Sequence, residues 1–153
     1  MSTSSDRIER EIVIKAPVKR VWHAITDSTE FGEWFRVKLT RPFVAGERIK
    51  GPVLHKGYEH ITWDVTIEQM VPEKRFSWRW RPHAIDPNKD YSKEPTTLVV
   101  FELSEVPGGT LLKVTESGFD RVPIERRETA YRGNSEGWTI QVGNIESHVS
   151  QNP

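Results

Sequence analysis

Residues 110–149, TLLKVTESGFDRVPIERRETAYRGNSEGWTIQVGNIESHV, decide the fold. Thr110 to Glu116 alternates, with Leu112, Val114 and Glu116 on one face, and period two means strand. Ser117-Gly118-Phe119 breaks that pattern. A helix then runs from about Pro123, a residue suited to a helix's first turn. Ile124, Tyr131, Trp138, Val142, Ile145 and Val149 recur at helical spacing as a single apolar stripe. At 1.5 Å per residue such a helix is roughly 40 Å long, enough to cross a small domain. Gly133, Gly137 and Gly143 each weaken it by up to ~1 kcal/mol relative to alanine, so a kink or thin point near Gly133 to Gly137, or two helical pieces, is expected.

Upstream, the chain reads mostly as antiparallel strands. Ile8, Ile12 and Ile14 alternate with charged residues, and Ala16-Pro17 ends that strand. Val18, Val21, Trp22 and Ile25 then recur at helical spacing. Asp27 or Ser28 can cap a second short helix that points Phe31, Trp34 and Phe35 inward. Strand candidates follow at Val37–Phe43, Arg48–Leu54 and His60–Val71, the last with Trp63, Val65 and Ile67 on one face. Phe76, Trp78 and Trp80 share a face of the next, and Val99, Phe101 and Leu103 of the one after. Between those two, residues 82–95 form a proline-rich loop, long for a hairpin and of the kind that is functional or mobile. The expected order is strand, two short helices, about six strands and a long helix, in one domain over residues 7–150. Residues 1–6 are read as a disordered polar tail.

Composition narrows the function. Lys plus Arg and Asp plus Glu are both 22, and no basic face stands out, so a nucleic-acid partner is not expected. There are no cysteines, which removes disulfides, thiol catalysis and thiolate metal sites. The first residues carry no apolar leader, and no apolar run approaches the ~20 residues of a membrane span. A cytoplasmic location follows as the expectation, with no membrane insertion.

The candidate chemistry is sparse. Glu116 is the most informative polar residue, because strand parity sets it beside Leu112 and Val114. A carboxyl looking into apolar space has a raised pKa and would serve as proton donor or as anchor for a ligand amine or hydroxyl. Alternatively it caps the helix region or pairs with an arginine. Trp63, Trp78, Trp80, Phe101, Tyr131 and Trp138 also have two readings, packed core or the lining of a pocket for a flat or greasy ligand. Trp78, Trp80 and Tyr131 are the first choices to reach it. The histidines show no metal-binding helix pair; His60 and His83 read as solvated loop residues, or as residues near the cavity mouth through Tyr58 and the 82–95 loop. No metal and no cofactor are expected. Glu116-Ser117-Gly118-Phe119 is not a nucleophile elbow.

Ile14-Lys15-Ala16-Pro17-Val18, Val21-Trp22, Thr26-Asp27, Phe31-Gly32-Glu33-Trp34-Phe35, Glu116-Ser117-Gly118-Phe119 and Gly137-Trp138 together carry a resemblance. The chain resembles the START-like helix-grip superfamily, in the branch named for activators of the heat-shock protein 90 ATPase, over roughly Ile8 to Val149. The resemblance implies an α+β fold: an antiparallel sheet of about seven strands, curved around the C-terminal helix, with an internal cavity between. Members of the superfamily bind lipids, hormones and polyketide-like aromatics, and a few catalyse cyclisation or dehydration. The expectation is therefore a small-molecule binding protein whose cavity is gated by the first two helices and the 82–95 loop. The alternatives are a protein-interaction module contacting a chaperone or a second copy, and a cavity enzyme using Glu116 as acid and base.

Overall fold

Strand β1 (Arg7–Ile14) buries Ile8 and Ile14 and leaves its charged residues outside, as the alternation requires. The structure is a computed structural model that describes residues 6–153. Residues 1–5 of the expected tail lie outside the described residues. Asp6 is tied down: its carbonyl accepts the N–H groups of Gly118 and Phe119, and its carboxylate accepts that of Asp120 at 3.0 Å.

Two helices follow, α1 (Val18–Thr26) and α2 (Ser28–Phe35). The Asp27 side chain accepts the Glu30 N–H at 3.0 Å and so starts α2. Then come β2 (Arg48–Pro52), β3 (Thr62–Val71), β4 (Arg75–Trp80), β5 (Thr97–Val106) and β6 (Gly109–Ser117). A turn of 3-10 helix (Phe119–Arg121) leads into α3 (Ile124–Gln151). The strands form one curved antiparallel sheet in the order β1-β6-β5-β4-β3-β2. A bulge between Ile67 and Gln69 adds to the bend of β3.

The sheet has six strands rather than seven. The expected strand at Val37–Phe43 contributes a single bridge, Val37 to Val53, and a hydrogen bond from the Lys38 N–H to the Pro52 carbonyl. The Lys38 carbonyl crosses so close to Gly51 that a Cβ there would meet it at 2.1 Å. Pro42 has no N–H to extend a ladder, and Phe43 turns into the aromatic core.

Helix α3 runs unbroken across Gly133 and Gly137, as one helix rather than two pieces. Its buried stripe is Ala130, Trp138, Val142, Ile145 and Val149. Ile124, expected to start the stripe, is 73% exposed because the helix meets the sheet only further along. Gly133 has a packing reason. A Cβ there would lie 2.8 Å from the His83 ring, so the glycine lets an imidazole sit against the helix backbone.

Much of the space between sheet and helix is filled by aromatic side chains. Trp78 is fully buried, with ring centroids 5.3 Å from Phe101, 5.6 Å from Phe31 and 6.3 Å from Trp138. Large rings contributed by α2, β3, β4, β5 and α3 meet one another there. A concavity remains at one end of the grip.

Candidate functional site

That end is an open groove of about 1090 Å³. One wall is α3, through Asn134, Gly137, Ile140, Gln141 and Asn144. The opposite side is the end of α2 together with residues 53–64, and loop residues 81–92 close the third. Its deepest lining residues are aromatic: Trp34, Phe35, Trp63 and Trp80. The rim is mixed. Arg36, His55, His83 and Asp90 stand beside Tyr58, Ile85 and Ile140, which are large apolar or aromatic groups open to water.

Behind this floor lies Glu116, with no exposed surface. Parity on β6 puts it on the concave face with Leu112 and Val114, and the chain then supplies four donors. Trp138 Nε1 donates to Oε1 at 2.8 Å, and Trp80 Nε1 to Oε2 at 2.8 Å. Thr97 Oγ1 lies 2.5 Å from Oε2. Asn134 Nδ2 straddles both oxygens at 2.9 and 3.2 Å. Every donor is electrically neutral, so no counter-charge compensates the burial. Burial pushes the carboxyl above the usual range, and the hydrogen bonds from Thr97, Trp138, Trp80 and Asn134 pull against it. Two of those donors, Trp80 and Asn134, are also groove-lining residues. Glu116 therefore holds the floor in place from beneath.

The loop over residues 82–95 is fastened by one side chain of α3. Arg126 reaches Glu94 Oε1 through Nη2 and Nε at 2.6 and 2.8 Å, and the Pro82 carbonyl through Nη1 at 2.8 Å. Its guanidinium lies 4.8 Å from the Tyr91 ring centre. Arg81 holds the same segment from the other side, donating to the Ser92 and Glu94 carbonyls. His83 sits inside this frame with a left-handed backbone, φ 54°. Burial, and then the nearby Arg126 charge, lower its pKa and favour a neutral ring.

Of the residues named as ligand contacts from sequence, Trp63 and Trp80 line the groove. Trp78, Phe101 and Trp138 belong to the packed core, because the interior aromatics meet one another. Glu116 lies one layer deeper than the groove. Tyr131 is turned away: its hydroxyl donates to the Arg7 carbonyl at 2.9 Å and its ring meets Phe119 edge-on. Asn134 was not singled out from sequence as a site residue, and His83 was read either as near the cavity mouth or as a solvated loop residue. Asn134 had a usable signal, since it stands four residues before Trp138 and so shares its helix face. His83 lines the groove, as its place in the 82–95 loop allowed, but its seat against α3 depends on a left-handed backbone and on a distant glycine, for which there is no local signal.

A second cluster joins the chain's ends. Glu30 takes Arg20 on both oxygens at 2.8 and 3.3 Å, His148 Nε2 at 2.7 Å, and His23 Nδ1. Burial opposes its charge, but the hydrogen bonds from Arg20, His148 and His23 prevail and hold its pKa at about 2. Donor atoms of His23, Asp27 and Glu30 lie within 4.8 Å of one another, as a metal site would need. Arg20 already occupies the carboxylate and Asp27 caps α2, so the arrangement reads as a clasp between α1, α2 and α3.

No helix among the described residues is long and apolar enough to cross a membrane. Comparison with known proteins agrees with the fold. A family profile described as Activator of Hsp90 ATPase homolog 1-like protein matches residues 15–150. Among solved structures, protein MLL2253 from Mesorhizobium loti is 26% identical, with a TM-score of 0.75 over 96% of this chain and 98% of its own. DynU16, encoded in the dynemicin biosynthetic locus, is 22% identical with a TM-score of 0.73, over 95% of this chain and 47% of its own. The Aha1 dimer from Colwellia psychrerythraea is 19% identical with a TM-score of 0.69, over 94% of this chain and 95% of its own. Comparison with curated protein sequences gave no match. The chain belongs to the family of activator of Hsp90 ATPase homolog 1-like proteins.

Proposed function

We propose that this protein binds a small, largely apolar molecule in the open groove between α3, α2 and the 82–95 loop. The observation that carries the reading is the floor: large aromatic side chains, Phe35, Trp63 and Trp80, lie under a groove of about 1090 Å³. That volume matches the sites that take drug-sized ligands. The indole of Trp80 is fixed by Glu116, so it meets a ligand without first losing rotamer freedom. Burial of the ligand's apolar surface would contribute about 25 cal/mol per Å² before the costs of association. Glu116 has no surface in the groove, and its role is to position Trp80 and Asn134 rather than to exchange protons with a bound molecule.

A blocking variant tests the reading. A Cβ at Gly137 would meet nothing within 4 Å, so Gly137→Phe places a ring in the groove from the α3 wall. Fatty acids, sterols and flavonoids titrated against tryptophan emission should show saturable quenching for at least one class, and the variant should lose it. Binding that survives Gly137→Phe, or none from any class, would refute the groove as the site.

The rim supports a second reading. Tyr58 is 45% exposed and Ile140 62% exposed, and both border the opening. A second copy of the chain seated there would cover these groups, and the Colwellia relative is described as a dimer. Sedimentation should then show a dimer that Ile140→Glu splits; a monomer at all concentrations would rule the dimer out.

A further inference from the structure

Glu116 consumes the hydrogen-bond donors of the groove floor. Trp80 and Asn134 are the polar groups of that floor that touch the hub, and each turns its N–H inward to the carboxylate. An ionised carboxylate accepts and cannot donate, so the Asn134 amide has one orientation, with Nδ2 toward Glu116 and Oδ1 away. A neutral carboxyl changes nothing, because its proton has Thr97 Oγ1, 2.5 Å away, to go to. No donor among the described residues reaches Asn134 Oδ1. The buried side-chain polar atoms left without a partner are the indole nitrogens of Trp63 and Trp78. The amide oxygen is absent from that pair, so it is open, and Asn134 lines the groove.

We propose that the groove selects flat molecules bearing a hydroxyl or N–H donor, which the Asn134 amide oxygen accepts while the ring lies against Trp80, and that Glu116 is the positioning residue that aims this acceptor. The proposal rests on the groove being the ligand site. The floor presents an aromatic face and one fixed acceptor. A carbonyl or ether in the donor's place would face another oxygen, because the Trp80 N–H and one N–H of Asn134 are turned to Glu116 and the Trp63 N–H is buried. A site built to pair a donor rejects the analogue lacking it, since the acceptor is left without a partner.

The test compares 2-naphthol with 2-methoxynaphthalene, which differ by one methyl on the oxygen. Affinity is read by calorimetry, and location by the shift of the Trp80 indole resonance. The wild-type protein should favour the naphthol about tenfold. Asn134→Leu should bring the ratio near one. Glu116→Gln should reduce it to a few-fold, because the amide keeps one acceptor oxygen for Asn134 but removes the second, which Asn134 Nδ2 also reaches at 3.2 Å, and so loosens the fixed orientation. The Glu116 effect is on the ratio and not merely on affinity, which a loss of rigidity alone would not produce. Equal affinities in the wild-type protein, or a tenfold preference kept by Asn134→Leu, would overturn the donor-reading proposal and leave the groove standing. Failure of both probes to move the Trp80 resonance would overturn the groove reading and this proposal with it.

Discussion

Replacing Glu116 by Gln tests the hub directly, because it changes one oxygen to an amide nitrogen and little else. Oε1 receives Trp138 and Asn134; Oε2 receives Trp80, Thr97 and Asn134. An amide nitrogen on the Oε1 side would point at the buried Trp138 N–H, donor against donor. On the Oε2 side the Thr97 hydroxyl can turn and accept, so only the Trp80 N–H loses its partner. The second arrangement is favoured, and one orphaned, part-buried N–H costs about 1–3 kcal/mol. Removing a carboxylate from an apolar interior offsets part of this at neutral pH, leaving a net loss of about 1–2 kcal/mol. With a urea m-value of about 2 kcal/mol/M, the middle of the usual range, the unfolding midpoint should fall by roughly 0.5–1 M. Glu116→Ala strands all four donors and opens a cavity, and should cost about 3–5 kcal/mol. The pH dependence carries the sharper signature. The folded-state pKa of Glu116 lies above its unfolded value, so the folded protein binds the extra proton more readily. Wild-type stability should therefore rise relative to Glu116→Gln as pH falls through the folded pKa, and the gain should be complete below the unfolded one. An unchanged midpoint for Glu116→Gln at neutral pH, or a wild-type advantage that does not vary with pH, would refute the account of a buried carboxyl held by neutral donors.

The Glu30 clasp should behave in the opposite sense. Its folded pKa of about 2 lies below the ordinary carboxylate value of 4.5, so its contribution is present above pH ~4.5 and is lost as pH falls toward 2. That shift corresponds to at most about 3 kcal/mol, and partial solvent screening reduces it to about 1–2 kcal/mol. Glu30→Gln should lower the urea midpoint accordingly at pH 7 and bring no further loss near pH 2; an equal deficit at both would exclude the ionic clasp. The α3 glycines should separate by their surroundings. Gly143→Ala meets open space and should raise stability by up to ~1 kcal/mol through helix propensity. Gly133→Ala drives a methyl to 2.8 Å from the His83 ring, which should cancel that gain and displace the His83 ring resonances. Equal stabilisation by both, with His83 undisturbed, would remove the reason given for Gly133.

Much of the fold was legible because burial has a period. Val99, Phe101 and Leu103 on β5, and Leu112, Val114 and Glu116 on β6, all face inward as alternation predicts. Asp27 caps α2 because a short acceptor before a helical run has a local job to do. The misses share a different cause: each depends on where two distant segments come together. Val37–Phe43 has strand-like residues, but a strand is defined by its neighbour, and β2 meets it at Gly51 with a crossing carbonyl rather than a ladder. Gly133 and Gly137 look alike as helix breakers, yet one seats an imidazole and the other opens on the groove. The site divides in the same way. That Glu116 would point inward followed from parity. That it would meet Trp80 and Asn134 required β4 and α3 to converge on β6. The aromatic count suggested a lined hollow, while the observed ring contacts show most of those side chains satisfying one another. Chemistry is left where that mutual satisfaction ends, at the Trp80 face and the outward-turned oxygen of Asn134, and it is the inward-turned donors of the same two residues that make those groups available.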